Sequence, residues 1–256
     1  VLGLPDGIRA CLFDMDGVLT RTATVHMAAW KRTFDGFLRG RDPGAAGFSQ
    51  DEYNRFVDGK PRADGVRDFL ASRGITLPEG SPDDGPDAET VHGIGQRKNV
   101  LLLRELDEHG VEVYPGSIRY LEAARAAGLA TAVVTASANG EQVVTAGGFA
   151  ALIDARVDGV LAAREGLRGK PAPDTFLAGA RALGVEPAQA VVFEDALAGV
   201  AAGRAGEFGF VVGVDRVGQA DALREHGADV VVADLDELLD AGTTTPTTTR
   251  TTEERA

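Results

Sequence analysis

The sequence predicts an α/β fold: a doubly wound parallel sheet, interrupted after its first strand by an inserted helical domain. Three observations carry this. From Pro115 onward, apolar strand-like runs alternate with helical stretches across short turns, as in a parallel sheet with helical crossovers. A lone apolar run near the start, residues 8–13, is broken only by Arg9 and ends in Asp14-Met15-Asp16-Gly17. Between the two, residues 21–111 carry helical signals and no convincing strand.

The elements follow in order. Residues 23–38 space Val25, Ala28, Ala29, Phe34 and Phe37 at a near-helical period, and a Gly/Pro loop over 39–47 ends that helix. Ser49 is placed to cap a helix over 50–57, with Glu52 at its third position. A short helix over 64–72 stops at Gly74, and residues 81–86 are a loop. A long helix over 88–109 precedes Gly110 in the C′ position. Beyond it, helices are expected over 117–127, 140–147, 173–183, 197–205, 220–225 and 235–239. Strands are expected over 130–135, 156–160, 190–193, 210–214 and 230–232. The expected division is a sheet domain over 1–20 and 112–242, a helical domain over 21–111, and a disordered Thr-rich tail over 243–256.

Composition excludes several roles. A formal net charge of −13 and a pI near 4.8 argue against a nucleic-acid or anionic-membrane surface. They leave room for a small anionic ligand held by a few local cations. One cysteine, Cys11, lies inside the first strand, so a disulfide framework is impossible. No apolar run approaches the ~18 residues of a membrane span, and the opening residues lack a charged-then-apolar leader pattern. A cytoplasmic monomer is expected.

The ends of the strands carry the chemistry. In a parallel sheet the strand C-termini share one edge, where open α/β folds bind ligands. Asp14 and Asp16 follow the first strand, Thr135 ends the second, and Glu194-Asp195 follow the strand at 190–193. Lys170 lies in Gly169-Lys170-Pro171-Ala172-Pro173 ahead of a helix. Each has an ordinary reading alone: an acidic turn, a cap, a solvated lysine, an acidic helix start favoured by the macrodipole. Together they form an all-oxygen set that suits Mg²⁺, with Asp14, Asp16, Glu194 and Asp195 as candidate ligands. Lys170 and the Thr135 hydroxyl then help cradle a phosphoryl group. Asp14 is placed to attack phosphorus and Asp16 to move a proton.

This set of motifs resembles the haloacid dehalogenase superfamily, and within it the β-phosphoglucomutase family. The resemblance rests on Asp14-Met15-Asp16-Gly17-Val18, Thr135-Ala136-Ser137-Ala138-Asn139-Gly140, Gly169-Lys170-Pro171-Ala172-Pro173-Asp174 and Glu194-Asp195-Ala196-Leu197-Ala198-Gly199. In the helical insert it rests on His26 and Trp30, on Asp58-Gly59-Lys60-Pro61-Arg62 and on Arg97-Lys98-Asn99. It implies a Rossmann-like core with a helical cap, and a sugar-phosphate substrate. Glucose 1,6-bisphosphate is implied as the activating intermediate. Arg62 is implied as a grip on the distal phosphate, aided by Ser137 and Asn139. Lys98 and Asn99 are implied as sugar or phosphate contacts, and His26 as a group that positions Asp16. Trp30 fits either the pattern or a helical core. Two positions depart from the family: Arg21 stands where an Asp is common, and Ala138 where a phosphate-binding Lys is known. A sugar-phosphate phosphatase would use the same acids, and a catalytically silent binding domain is the remote alternative.

Overall fold

The computed structural model describes residues 2–240. Its sheet has six parallel strands in the order β3-β2-β1-β4-β5-β6. They are β1 (Ala10–Phe13), β2 (Ala130–Val134), β3 (Ala155–Val157), β4 (Ala190–Glu194), β5 (Phe210–Val214) and β6 (Val230–Val232). β1 lies at the centre, with Ala10 in register with both Ala130 and Ala190. Its residues alternate between two apolar layers, as a period of two requires. Cys11 and Phe13 enter one, where Phe13 stacks on Phe193 at 4.5 Å; Ala10 and Leu12 enter the other, against Phe176. Covering both faces accounts for the near-continuous apolar strands.

The helices α1 (Thr22–Arg41), α2 (Gln50–Phe56), α3 (Arg62–Ser72) and α4 (Val91–His109) form the insert. They bury a cluster of their own around Phe34, Phe48 and Phe69, with ring centroids 4.2 to 5.0 Å apart. Local chemistry fixes their ends. Ser49 and Glu52 make the expected capping box, and Thr90 caps α4 by accepting from the Gly93 N–H at 2.9 Å. Gly110 closes α4 at φ 74°. The two linkers between insert and sheet pair with each other: Tyr114 N–H donates to the Leu19 carbonyl at 2.9 Å and Arg21 N–H to that of Glu112 at 2.8 Å.

The remaining helices are α5 (Pro115–Ala126), α6 (Gly140–Ala146), α7 (Gly159–Glu165), α8 (Asp174–Ala182), α9 (Leu197–Ala205), α10 (Ala220–Glu225) and α11 (Glu237–Asp240). One expectation is corrected. The strand over 156–160 stops at Val157, and α7 follows, because the Asp158 side chain accepts from the Val160 and Leu161 N–H groups and starts a helix. The expected tail over 243–256 lies outside the described residues. Among the described residues no helix is long and apolar enough to cross a membrane.

Candidate active site

Ladder hydrogen bonds run one residue past the strands and seat the first site residues. Asp14 N–H donates to the Phe193 carbonyl and Thr135 N–H to that of Val157, each at 2.9 Å. Asp14, Glu194 and Asp195 are buried, and one carboxylate oxygen from each lies within 4.8 Å of the other two. Lys170 is buried among them. Its Nζ donates to Asp14 Oδ1, to Glu194 Oε1 at 2.5 Å and to the Val134 carbonyl at 3.2 Å.

The electrostatics follow from that crowding. Burial alone would lower the Lys170 pKa, but the Asp14 and Glu194 carboxylates outweigh it and hold the ammonium above its ordinary value. Burial raises Asp14 well above the usual carboxylate range; Lys170 pulls it back, while Glu194 and Asp16 push it further. Asp195 is raised by burial, then by Asp58 and Glu194. One ammonium among three buried carboxyl groups cannot keep all of them ionised, and a divalent cation with oxygen ligands would supply the missing positive charge. Two glycines make the room. A Cβ on Gly17, at φ 91°, would stand 1.8 Å from Asp195 Oδ2, and one on Gly199 would stand 1.7 Å from Glu194 Oε1. The donor set and its space therefore fit Mg²⁺.

Asp16, expected among the ligands, lies outside this trio. The chain has already left the strand: Leu19 and Thr20 N–H groups both donate to the Met15 carbonyl, so residues 15–20 form a tight turn. Asp16 instead accepts from the Thr22 hydroxyl and, at 3.2 Å, from that of Thr135, and stands 3.5 Å from His26 Nε2. The Thr135 hydroxyl thus holds Asp16, while also accepting from the Ser137 N–H at 3.0 Å.

His26 Nδ1 meets Lys98 Nζ at 3.0 Å. Burial, then Lys98, brings the imidazole down to about 4 against the pull of Asp16. It is therefore neutral at pH 7, with its proton on Nε2 facing Asp16 if Nδ1 accepts from Lys98. Burial and Arg62 bring Lys98 down to about 7. Its Nζ lies 5.3 Å from the Trp30 ring centre, and Trp30 also stacks on Phe34 at 4.9 Å, so that ring serves core and site together. Arg62 donates from Nη1 to Gln96 Oε1 at 3.2 Å and from Nη2 to Asn99 Oδ1 at 2.9 Å. Asn139, across on the sheet side, donates to the same Asn99 oxygen at 3.0 Å. Among the described residues neither Arg62 nor Lys98 has a carboxylate partner.

One cavity of about 550 Å³ joins these groups. All the site residues expected from sequence line it except Asn99 and Glu194. Sequence reasoning missed Tyr53 and Asp58, which line it too. Burial raises Asp58 to about 7, with the Tyr53 hydroxyl pulling it back. The available signal was position, since Asp58 opens the short loop that ends at Arg62.

Comparison with known proteins agrees with this geometry. A family model described as haloacid dehalogenase-like hydrolase matches residues 8–207. A β-phosphoglucomutase of Mycobacterium tuberculosis (strain CDC 1551 / Oshkosh) is 54% identical over 253 residues, covering 93% of this chain and 94% of that protein. A validoxylamine A 7'-phosphate phosphatase of Streptomyces hygroscopicus subsp. limoneus is 32% identical over 242 residues, covering 90% and 95%. The crystal structure of β-phosphoglucomutase from Clostridium difficile shares the fold, with a TM-score of 0.72 at 24% identity over 90% of this chain and 93% of that one. With such identity over nearly its whole length, the chain belongs to the haloacid dehalogenase superfamily of aspartate-nucleophile enzymes, and within it to the β-phosphoglucomutase family.

Proposed function

We propose that the chain is a Mg²⁺-dependent mutase that converts β-glucose 1-phosphate to glucose 6-phosphate through bound β-glucose 1,6-bisphosphate. In this reading residues 21–111 act as a cap over a core of residues 1–20 and 112–242. The observation that carries it is a single cavity with two separate places for an anion. Lys170 serves the acid trio, and Arg62 with Lys98 stands apart from any carboxylate among the described residues. A bisphosphate needs both places; hydrolysis of a monophosphate needs one.

The residues divide the work. Phosphorylated Asp14 donates its phosphoryl group to the 6-hydroxyl of β-glucose 1-phosphate, and Asp16 takes the proton of that hydroxyl. The bisphosphate turns over in the cavity. The Asp14 carboxylate then attacks the phosphorus at the 1-position, and Asp16 returns the proton to the departing sugar oxygen, releasing glucose 6-phosphate. Asp14, Glu194 and Asp195 would hold Mg²⁺, which would neutralise charge on the transferring phosphoryl group. Arg62 and Lys98 grip the phosphate that is not reacting, with Ser137 and Asn139 as neutral donors. Thr22 and Thr135 hold Asp16 in line, with His26 Nε2 standing 3.5 Å from it. The wall that includes Trp30 keeps water, the competing acceptor, away. The buried, free Cys11 suits the cytoplasm.

The test is direct. Incubated with Mg²⁺, β-glucose 1-phosphate and a trace of glucose 1,6-bisphosphate, the protein should yield glucose 6-phosphate without free phosphate. Stoichiometric phosphate release would replace the mutase with a phosphatase on the same acids. No turnover of any sugar phosphate would leave a binding domain.

A further inference from the structure

We propose that Arg216 is a positioning residue: it braces the linkers between sheet and insert, and so sets how fully phosphoryl transfer is shielded from water. This rests on the mutase reading above. Arg216 follows β5, far in sequence from either linker, and its side chain is 13% exposed. Its guanidinium spreads over both linkers at once. Nε donates to the Gly17 carbonyl at 2.9 Å and Nη2 to that of Val18 at 3.4 Å, so it grips the first linker directly after Asp16. The same plane lies 3.5 Å from the ring centre of Tyr114, on the second linker, and Nη2 reaches Ser117 Oγ at 3.3 Å. Nη1 is fixed to the sheet domain by the Ala233 carbonyl at 2.6 Å and by Asp234 Oδ2 at 3.1 Å.

Both chain crossings are thereby tied to the sheet by one side chain. A second tie joins the linkers to each other. Arg21 lies 4.6 Å from the Tyr114 ring centre and 3.8 Å from Glu112, which gives the unexpected residue at position 21 a task. The brace needs a flat, forked cation. Lysine would keep the pairing with Asp234 but cannot both stack on a ring and serve several acceptors. What the brace controls follows from where it sits. The angle of the linkers sets whether the insert covers the cavity, and the covered cavity is what keeps water from phosphorylated Asp14.

The experiment compares Arg216→Lys, Tyr114→Ala and Tyr114→Phe. In each, glucose 6-phosphate and free phosphate are measured from β-glucose 1-phosphate primed with glucose 1,6-bisphosphate. The single-turnover rate at which acetyl phosphate phosphorylates Asp14 is measured beside them. Arg216→Lys and Tyr114→Ala should raise the ratio of phosphate to glucose 6-phosphate by about tenfold, while phosphorylation of Asp14 stays within about threefold. Tyr114→Phe keeps the ring and should keep the wild-type ratio. An unchanged ratio in the first two variants overturns the proposal. So does a parallel fall of transfer and phosphorylation, which marks a merely structural role. Stoichiometric phosphate release by the wild type instead overturns the mutase reading, independently of the brace.

Discussion

The acid trio sits on the ends of β1 and β4, whereas Arg62, Lys98 and Asn99 come from α3 and α4 of the insert. The first group is seated by backbone ladders at the centre of a six-stranded sheet and crowded until its charge demands a cation. The second is held by neutral amides and an aromatic face, and its positive charge is left unspent. The difference teaches where each property resides. On the proposed reading, phosphoryl chemistry belongs to the sheet edge and the choice of what is phosphorylated to the insert, where helices can vary without disturbing the acids.

Breaking the sheet side should have the largest effect. Asp14→Asn should lower both glucose 6-phosphate formation and phosphate release by about 10⁴-fold or more, because no other group in the cavity replaces the nucleophile. Breaking the insert side should separate the two activities. Arg62→Ala removes two charge-assisted hydrogen bonds of about 1.5 kcal/mol each, so mutase kcat/KM should fall about 100-fold. Phosphorylation of Asp14 by acetyl phosphate, which uses the sheet side alone, should change by less than about threefold. Equal losses would merge the two regions into one.

Two further measurements sharpen the contrast. Mg²⁺ at 100 times its Kd should stabilise the native protein by about 2.7 kcal/mol in thermal or chemical unfolding. Asp195→Asn should remove most of that gain, and Lys98→Met should leave it intact. The smallest effect is a pH slope confined to the insert. Lys98 is charged below about 7 and neutral above it, so KM for the sugar phosphate should rise by up to about tenfold between pH 6 and 8.5. Lys98→Met should flatten that rise. The sign for stability is opposite to that of a paired lysine. Between about 7 and the ordinary lysine value of 10.5 the unfolded chain holds a proton the native one lacks. This residue's contribution to stability therefore improves as pH rises through that window and is constant below it.

The sheet side was legible because strand periodicity and strand-end polarity are local signals, and a parallel sheet brings such ends together by rule. Asp16 shows the limit of that logic. Its spacing of two from Asp14 suggests a shared site, and both line one cavity, but β1 stops at Phe13 and the following turn ties the Asp16 carboxylate to Thr22 and Thr135 instead of to the trio. α7 was hidden because Val157 and Val160 read as one apolar run, although the Asp158 cap divides them. Arg216 could not be read at all. Its partners are three backbone carbonyls, a ring, a hydroxyl and a carboxylate from segments scattered along the chain, and carbonyls leave no mark in a sequence. Arg62 was visible only through resemblance, since nothing local distinguishes a cation held by amides from one in solvent.

Those amides have a further consequence. Gln96 and Asn99 occupy the fork of Arg62 with two neutral oxygens, as stand-ins for a phosphate. A phosphate that displaces them trades neutral hydrogen bonds for charge-assisted ones on a guanidinium already aimed, so the exchange runs downhill. A sugar hydroxyl offers the fork nothing that the amides do not already provide. On the proposed reading, the pair would act as a threshold against sugars that lack the second phosphate. Because Asn139 donates to the same Asn99 oxygen from the sheet side, crossing that threshold on the insert is felt at once across the cavity.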